Sequence, residues 1–203
     1  MEAETNRLKQ KEENTPIDYS YARPAISEDE SVKQAIELAK ENNLRLHICH
    51  LSSSKSLSLA KDASKTYPVS WEFTPHHLLL DNSAYDAYGT FIKTNPPLRE
   101  KQASIDISDL DSNSIIGTDH APHTLENKSK GVWDSSPGIP NLETVVPLLL
   151  TEVNKGNLDL KIIPKIAALR ARFTRIWRGQ TPKKPYFSAL SQRPSPKIVT
   201  TPR

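Results

Sequence analysis

The segment SIIGTDHAPH, residues 114–123, constrains this chain more than any other stretch. Two isoleucines reach a glycine, and within six residues the chain releases Thr118, Asp119, His120 and His123. A short apolar run of this kind reads as a buried strand, and its carboxyl end carries chemistry. Upstream the same alternation recurs. SEDESVKQAIELAKENN, from Ser27, has a serine cap, acidic residues in its first turn and an apolar stripe of Val32, Ala35, Ile36 and Leu38, which predicts an amphipathic helix. LRLHICHLS predicts a strand, SKSLSLAKDASK a helix, YPVSWEFTP a strand, and NLETVVPLLLTEVNKG a last helix with Asn141 as its cap. Residues 1–26 read as charged and irregular. Strands alternating with helices predict an α/β fold with a parallel sheet, in which ligands sit on the loops leaving the carboxyl ends of the strands.

Candidate residues obey that rule. His50 closes the first predicted strand, His76 and His77 the second and Asp119 the third, and all six histidines fall between 47 and 123. In HICH the two histidines are three apart. Because side chains on a strand alternate faces, only one can point toward a site, so His50 is the candidate and His47 is expected to pack or hydrogen-bond behind the sheet. His76 and His77 are read as supporting or packing residues. A carboxylate at the end of a buried strand must be paired, protonated or metal-bound, which singles out Asp119. Carboxylate oxygen and imidazole nitrogen together suit zinc and related divalent ions. Water bound to such an ion ionises near about pH 7, and a neighbouring aspartate can carry its proton.

Composition narrows the class. The 203 residues, 36% of them hydrophobic, suffice for one ordinary domain. No apolar run approaches the roughly 18–20 residues that span a bilayer, and the charged start is no secretory signal, so a cytoplasmic location is expected, with no membrane partner. Cys49, the only cysteine, has no internal disulfide partner. The net charge of +3 is uneven: ten Lys and Arg and no Asp or Glu lie from 165 onward, leaving 17 basic against 24 acidic residues before it, a net −7. Residues 1–164 are therefore expected to form the folded part, and 165–203 a basic, proline-containing tail that is disordered or irregular. The tail's sparse aromatics argue against nucleic acid as its partner.

HICHLSS, EFTPHHL, KTNPPLRE, GTDHAPHTLENK and PGIPNLET, in this order and spacing, resemble the dihydroorotases of the amidohydrolase superfamily over about residues 15–160. RPAISEDESVKQAIELA looks like the segment preceding them there. The resemblance implies a partial TIM-type (β/α) barrel of the metal-dependent hydrolase kind, containing barrel strands five to eight. It implies zinc, as one or two divalent ions, and reversible hydrolysis of dihydroorotate to N-carbamoyl-aspartate in pyrimidine biosynthesis. Mapped by motif, His50 and Asp119 would be metal ligands and Asp119 the catalytic proton carrier. Asn95, His123, Pro137 and Gly138 would bind the substrate. Arg99 is open to two readings, a carboxylate clamp or a structural ion pair.

The chain also departs from the pattern. It lacks the His-x-His strand, and MEAET resembles the fifth-strand stretch with Glu2 standing where a histidine belongs. A full barrel takes about 250 residues. The expectation is thus a carboxyl-terminal portion of such an enzyme, truncated at its start and atypical at its end, as a shifted reading frame or a fusion would produce. Such a portion is expected to be inactive alone, its candidate partner being a chain that supplies the missing half. The alternatives are a non-catalytic subunit scaffolding a partner enzyme, or a hydantoinase or allantoinase relative.

Overall fold

The computed structural model describes residues 2–10, 14–111, 114–161, 163 and 186–189. Helix α1 (Glu2–Lys9) and the short α2 (Asp18–Tyr21) precede α3 (Ala25–Glu41), β1 (Arg45–Ile48), α4 (Ser54–Ser64) and β2 (Val69–Phe73). Then come α5 (Pro75–Leu79), α6 (Tyr85–Tyr88), β3 (Ile115–Ile116), α7 (Leu125–Lys128), α8 (Val145–Asn154) and β4 (Tyr186–Ala189). The described strands form one sheet in the order β3-β2-β1-β4, and every pairing is parallel. The register sets Leu46 opposite Val69 and Phe73 opposite Ile116. Carboxyl ends of β1, β2 and β3 therefore share one edge. Helical crossovers between parallel neighbours define a partial (β/α) barrel, as the alternation predicts.

The core lies between sheet and helices. Val32, Ala35, Ile36 and Ala39 of α3 and Leu57, Ala60 and Ala63 of α4 pack against Leu46, Ile48, Val69, Trp71 and Phe73. Fully burying one such large apolar side chain contributes roughly 1.5–3 kcal/mol. Leu38, expected in the stripe, is 53% exposed, and Ala39 takes its place because it continues the Val32, Ala35, Ile36 spacing. The serine cap is also corrected: α3 starts at Ala25 behind Pro24, and Ser27 lies inside the first turn, its carbonyl accepting from Ser31 Oγ at 2.7 Å. Likewise α8 begins after Thr144, not Asn141, whose side chain is needed elsewhere. Residues before α3, expected to be irregular, include α1 and α2. Glu2 lies in α1, not in a strand, and β4 lines the free edge of β1. Apart from 186–189, the expected tail from 165 lies outside the described residues.

Candidate functional site

The three strand exits each bend sharply and are each tied down. At the first, β1 ends at Ile48, and His50 takes φ 39°, which breaks the alternation on which its orientation was predicted. Leu51 returns at once to the sheet, its N–H donating to Glu72 O at 3.0 Å. His50 Nδ1 is buried without a hydrogen-bond partner. Next in sequence, Ser52 and Ser53 donate their N–H groups to Glu28 Oε1 at 3.0 and 3.1 Å. Arg99 Nη2 donates to Glu28 Oε2 at 2.8 Å, and Arg99 Nε to Ser52 Oγ at 2.9 Å. Asp29 accepts from Ser53 Oγ and Ser56 Oγ at 2.7 and 2.8 Å. Glu28 and Asp29, read from sequence as first-turn acids of a helix, are instead buried anchors of the β1 exit. Arg99 is the structural partner of Glu28, and its guanidinium donors are taken up by Glu28, Ser52 and the Arg23 carbonyl.

At the second exit, β2 runs into Thr74 and α5. His77 is fully enclosed, its Nδ1 2.7 Å from Thr74 Oγ1 and its Nε2 3.0 Å from the Pro96 carbonyl. Burial, against the raising effect of the Pro96 bond and helped by the charges of His50 and Arg99, pushes its pKa down to about 3. His76 is lowered well below its ordinary value, by burial first and then by His77 and His50. Both rings are therefore neutral, and His50 lies close enough to act on each. Asn141 Nδ2 reaches His76 Nδ1 at 2.7 Å and the Thr118 carbonyl at 3.1 Å, joining the second exit to the third.

At the third exit, Asp119 adopts φ 43° and is exposed. The expectation of a buried strand-end carboxylate is overturned, because β3 is only Ile115–Ile116 and Asp119 lies three residues beyond it. Its charge still reaches the first exit. The Cys49 thiol is raised to about 11 by burial, then by Glu72 and by Asp119. His120 Nδ1 accepts from the Leu142 N–H at 3.1 Å, and Ala121 N–H donates to Ile139 O at 3.2 Å. His123 Nε2 lies 3.0 Å from the Pro137 carbonyl. Gly138 has φ 144°, and a Cβ there would fall 2.6 Å from the Ala121 Cβ, so this close approach requires glycine.

The loop carrying Asn95 joins the same surface through lysines that sequence reading passed over. Gly138 N–H donates to Lys93 O at 2.8 Å, while Lys128 Nζ donates to the Gly138 and Ser136 carbonyls at 3.0 Å. Burial lowers Lys128 to about 8. Lys93 Nζ donates to Val132 O and Ser135 O at 2.7 and 2.6 Å. Asn95 itself is exposed, and its Oδ1 accepts from Tyr19 OH at 2.5 Å. Thus His123, Pro137 and Gly138 are in direct contact, with Asn95 two residues from the Lys93 anchor.

His47 was expected behind the sheet; it lies instead on the face turned away from the helices. Its alternate neighbours Leu46 and Ile48 are in the helix-facing core, whereas His47 is 3.6 Å from Glu72 and 2.9 Å from Ser70 Oγ. The donor atoms of His47, Cys49 and Glu72 lie within 4.8 Å of one another, a group that could hold a metal ion. Alternation along HIC and SWE contains that signal. Which residues of the two strands meet across the ladder depends on register, and sequence did not supply it.

Parallel strands, helical crossovers and polar groups gathered at one strand edge define a partial (β/α) barrel. The chain is 49% identical to dihydroorotase from Methanosphaera stadtmanae over 155 residues and 48% identical to dihydroorotase from Methanothermobacter thermautotrophicus over 158 residues. These matches cover 76% and 78% of this chain but 36% of each relative, so the chain spans just over a third of the curated relatives it matches. Among solved structures, the L-hydantoinase (dihydropyrimidinase) from Arthrobacter aurescens superposes with a TM-score of 0.76 at 29% identity, covering 81% of this chain and 38% of that one. No family model matches. The resemblance to dihydroorotases read from the motifs is thus borne out, for a part of such a barrel.

The donor chemistry present fits a divalent ion: a buried imidazole nitrogen of His50 without a hydrogen-bond partner, an exposed carboxylate at Asp119 whose charge acts on Cys49 next to His50, and neutral histidines within reach of His50. No helix of the described residues is long and apolar enough to cross a membrane.

Proposed function

We propose that this chain forms the substrate-facing part of a dihydroorotase-type cyclic amidohydrolase, which interconverts dihydroorotate and N-carbamoyl-aspartate. The observation that carries this reading is the meeting of the three strand exits. His50 acts electrostatically on His76 and His77, Asp119 acts on the neighbour of His50, and Asn141 ties the second and third exits together. His50 and Asp119 are the metal ligands. Zinc, as one or two ions, would supply a Lewis acid and an acidified water there.

The rest falls to side chains of this chain. His50 offers its unpartnered Nδ1, and the buried neutral pair His76 and His77 keeps positive charge away from the cation position. Asp119, exposed and held on a left-handed turn, takes a proton from water and returns it to the amide nitrogen as the ring opens. Asn95 and His123 present polar groups to the pyrimidine ring, and backbone groups of Pro137 and Gly138 line it. Residues 1–164 carry the barrel portion, β4 (Tyr186–Ala189) adds a parallel strand at the edge of β1, and the sequence from 165 onward is basic.

His50 and Asp119 are two protein ligands where catalytic zinc ordinarily takes three. The isolated chain is therefore expected to show little or no turnover, with activity appearing when a chain bearing the remaining strands is added. Measuring N-carbamoyl-aspartate cyclisation with zinc, with and without a dihydroorotase amino-terminal portion, tests this. Restored turnover lost in Asp119→Asn supports the assignment. Restored turnover undiminished by Asp119→Asn would reject it. No turnover in any combination, with no zinc bound, favours the scaffold reading.

A further inference from the structure

We propose that His47, Cys49 and Glu72 form a second divalent-cation site, on the strand face turned away from the helices and separate from the His50–Asp119 pair. The three side chains come from facing positions of β1, its exit and β2, and their donor atoms lie within 4.8 Å of one another. An imidazole nitrogen, a sulfur and a carboxylate oxygen make a mixed donor set suited to zinc or another borderline-soft ion rather than to magnesium or calcium. His47 is 2% exposed, while Cys49 and Glu72 are half-buried, which leaves an approach for the ion and a fourth position for water.

Two features beyond proximity prepare the site. The first fixes the histidine. Ser70 Oγ lies 2.9 Å from His47 Nδ1 and also reaches the Leu46 carbonyl at 3.4 Å, which holds the imidazole ring in place. With Nδ1 held by Ser70, Nε2 is the nitrogen on the Glu72 side, and metal-bound histidines are oriented through their other ring nitrogen in this way. Nε2 and Glu72 Oε2 are 3.6 Å apart, close to the edge of a coordination tetrahedron with arms near 2.0–2.2 Å, about 3.4 Å.

The second feature fixes the carboxylate. Gly117 lies against it: a Cβ at that position would fall 2.4 Å from Glu72 Oε1, 2.6 Å from Cδ and 2.8 Å from Oε2. The backbone of the β3 exit thus cradles the carboxylate where no other residue could. Methyl substitution at 117 pushes the carboxylate aside while leaving all three ligand residues unchanged.

Cobalt(II) is the probe, added to the full 203-residue chain kept reduced and free of other metals. Cys49 is the only cysteine, so a thiolate-to-cobalt charge-transfer band in the near ultraviolet has one possible origin. One equivalent of cobalt is expected to give that band, and Cys49→Ser to abolish it. Glu72→Gln and Gly117→Ala should each raise the dissociation constant at least tenfold, with circular dichroism showing the fold retained. Asp119→Asn and His50→Asn should leave band and affinity unchanged. Absence of the band at stoichiometric cobalt, a band indifferent to both Glu72→Gln and Gly117→Ala, or a band lost in Asp119→Asn would each overturn the proposal. The last result would mean that Cys49 serves the rim and that there is one shared site.

Discussion

The two faces of β1 and β2 are built from alternate residues of the same strands, yet they do opposite work. Toward the helices stand Leu46, Ile48, Val69, Trp71 and Phe73, sealed against α3 and α4. Toward the other side stand His47, Ser70 and Glu72, linked by hydrogen-bond and charge contacts and flanked by Gly117. One face excludes water and supplies hydrophobic free energy, while the other carries hydrogen-bond and charge contacts. Stability and chemistry are thereby separated by a single residue step, so a substitution on one face can leave the other intact.

The largest test of that separation compares adjacent residues. Phe73 is fully buried, and Phe73→Ala is expected to cost about 3–5 kcal/mol from lost transfer energy plus the cavity left behind. Glu72→Gln, one position earlier and nearly isosteric, should cost about 1 kcal/mol or less. Urea denaturation of both variants measures the difference. Equal losses would mean that the polar face supports the fold as much as the apolar one.

That division was half legible in the sequence. The alternation of helix and strand, and the gathering of histidines and Asp119 at strand ends, followed from periodicity, because period 3.6 and period 2 each reflect which side meets the core. What periodicity could not convey is where an element stops. HICH reads as one strand, so His47 and His50 were assigned opposite faces, but β1 ends at Ile48 and the positive φ at His50 cancels the parity. The same holds for Asp119, reached by a left-handed turn and exposed. Partners distant in sequence were also invisible. Nothing local to SEDES announces that Glu28 is buried against Ser52 and Arg99, nor does NLET show that Asn141 will bond His76 rather than cap a helix.

A second test asks whether the helix-facing seal extends to the strand exits. His77 is enclosed with its pKa near 3, so the unfolded chain, with histidine near its ordinary value of about 6.5, binds a proton that the folded chain refuses. This contribution to stability is complete above about pH 6.5 and is lost as pH falls toward about 3. Between pH 7 and 5 the loss amounts to about 2 kcal/mol. His77→Gln, which cannot titrate, should show a drop over this interval smaller by that amount when urea midpoints are compared at the two pH values. The same drop in both proteins would show that His77 is protonated without unfolding.

The smallest effect sharpens the polar face itself. Gly117→Ala places a Cβ against the Glu72 carboxylate, which is the far end of a flexible side chain and can swing aside. The cost should therefore be near 1 kcal/mol and should come almost entirely from that one neighbour. If so, it vanishes when the carboxylate is removed: Gly117→Ala in a Glu72→Ala background is expected to be nearly neutral, a coupling of about 1 kcal/mol in a double-mutant cycle. A cost that persists in the Glu72→Ala background would place the strain in the β3 backbone. Gly117 would then belong to the structural face of the sheet, and Glu72 would lose the contact that fixes its position.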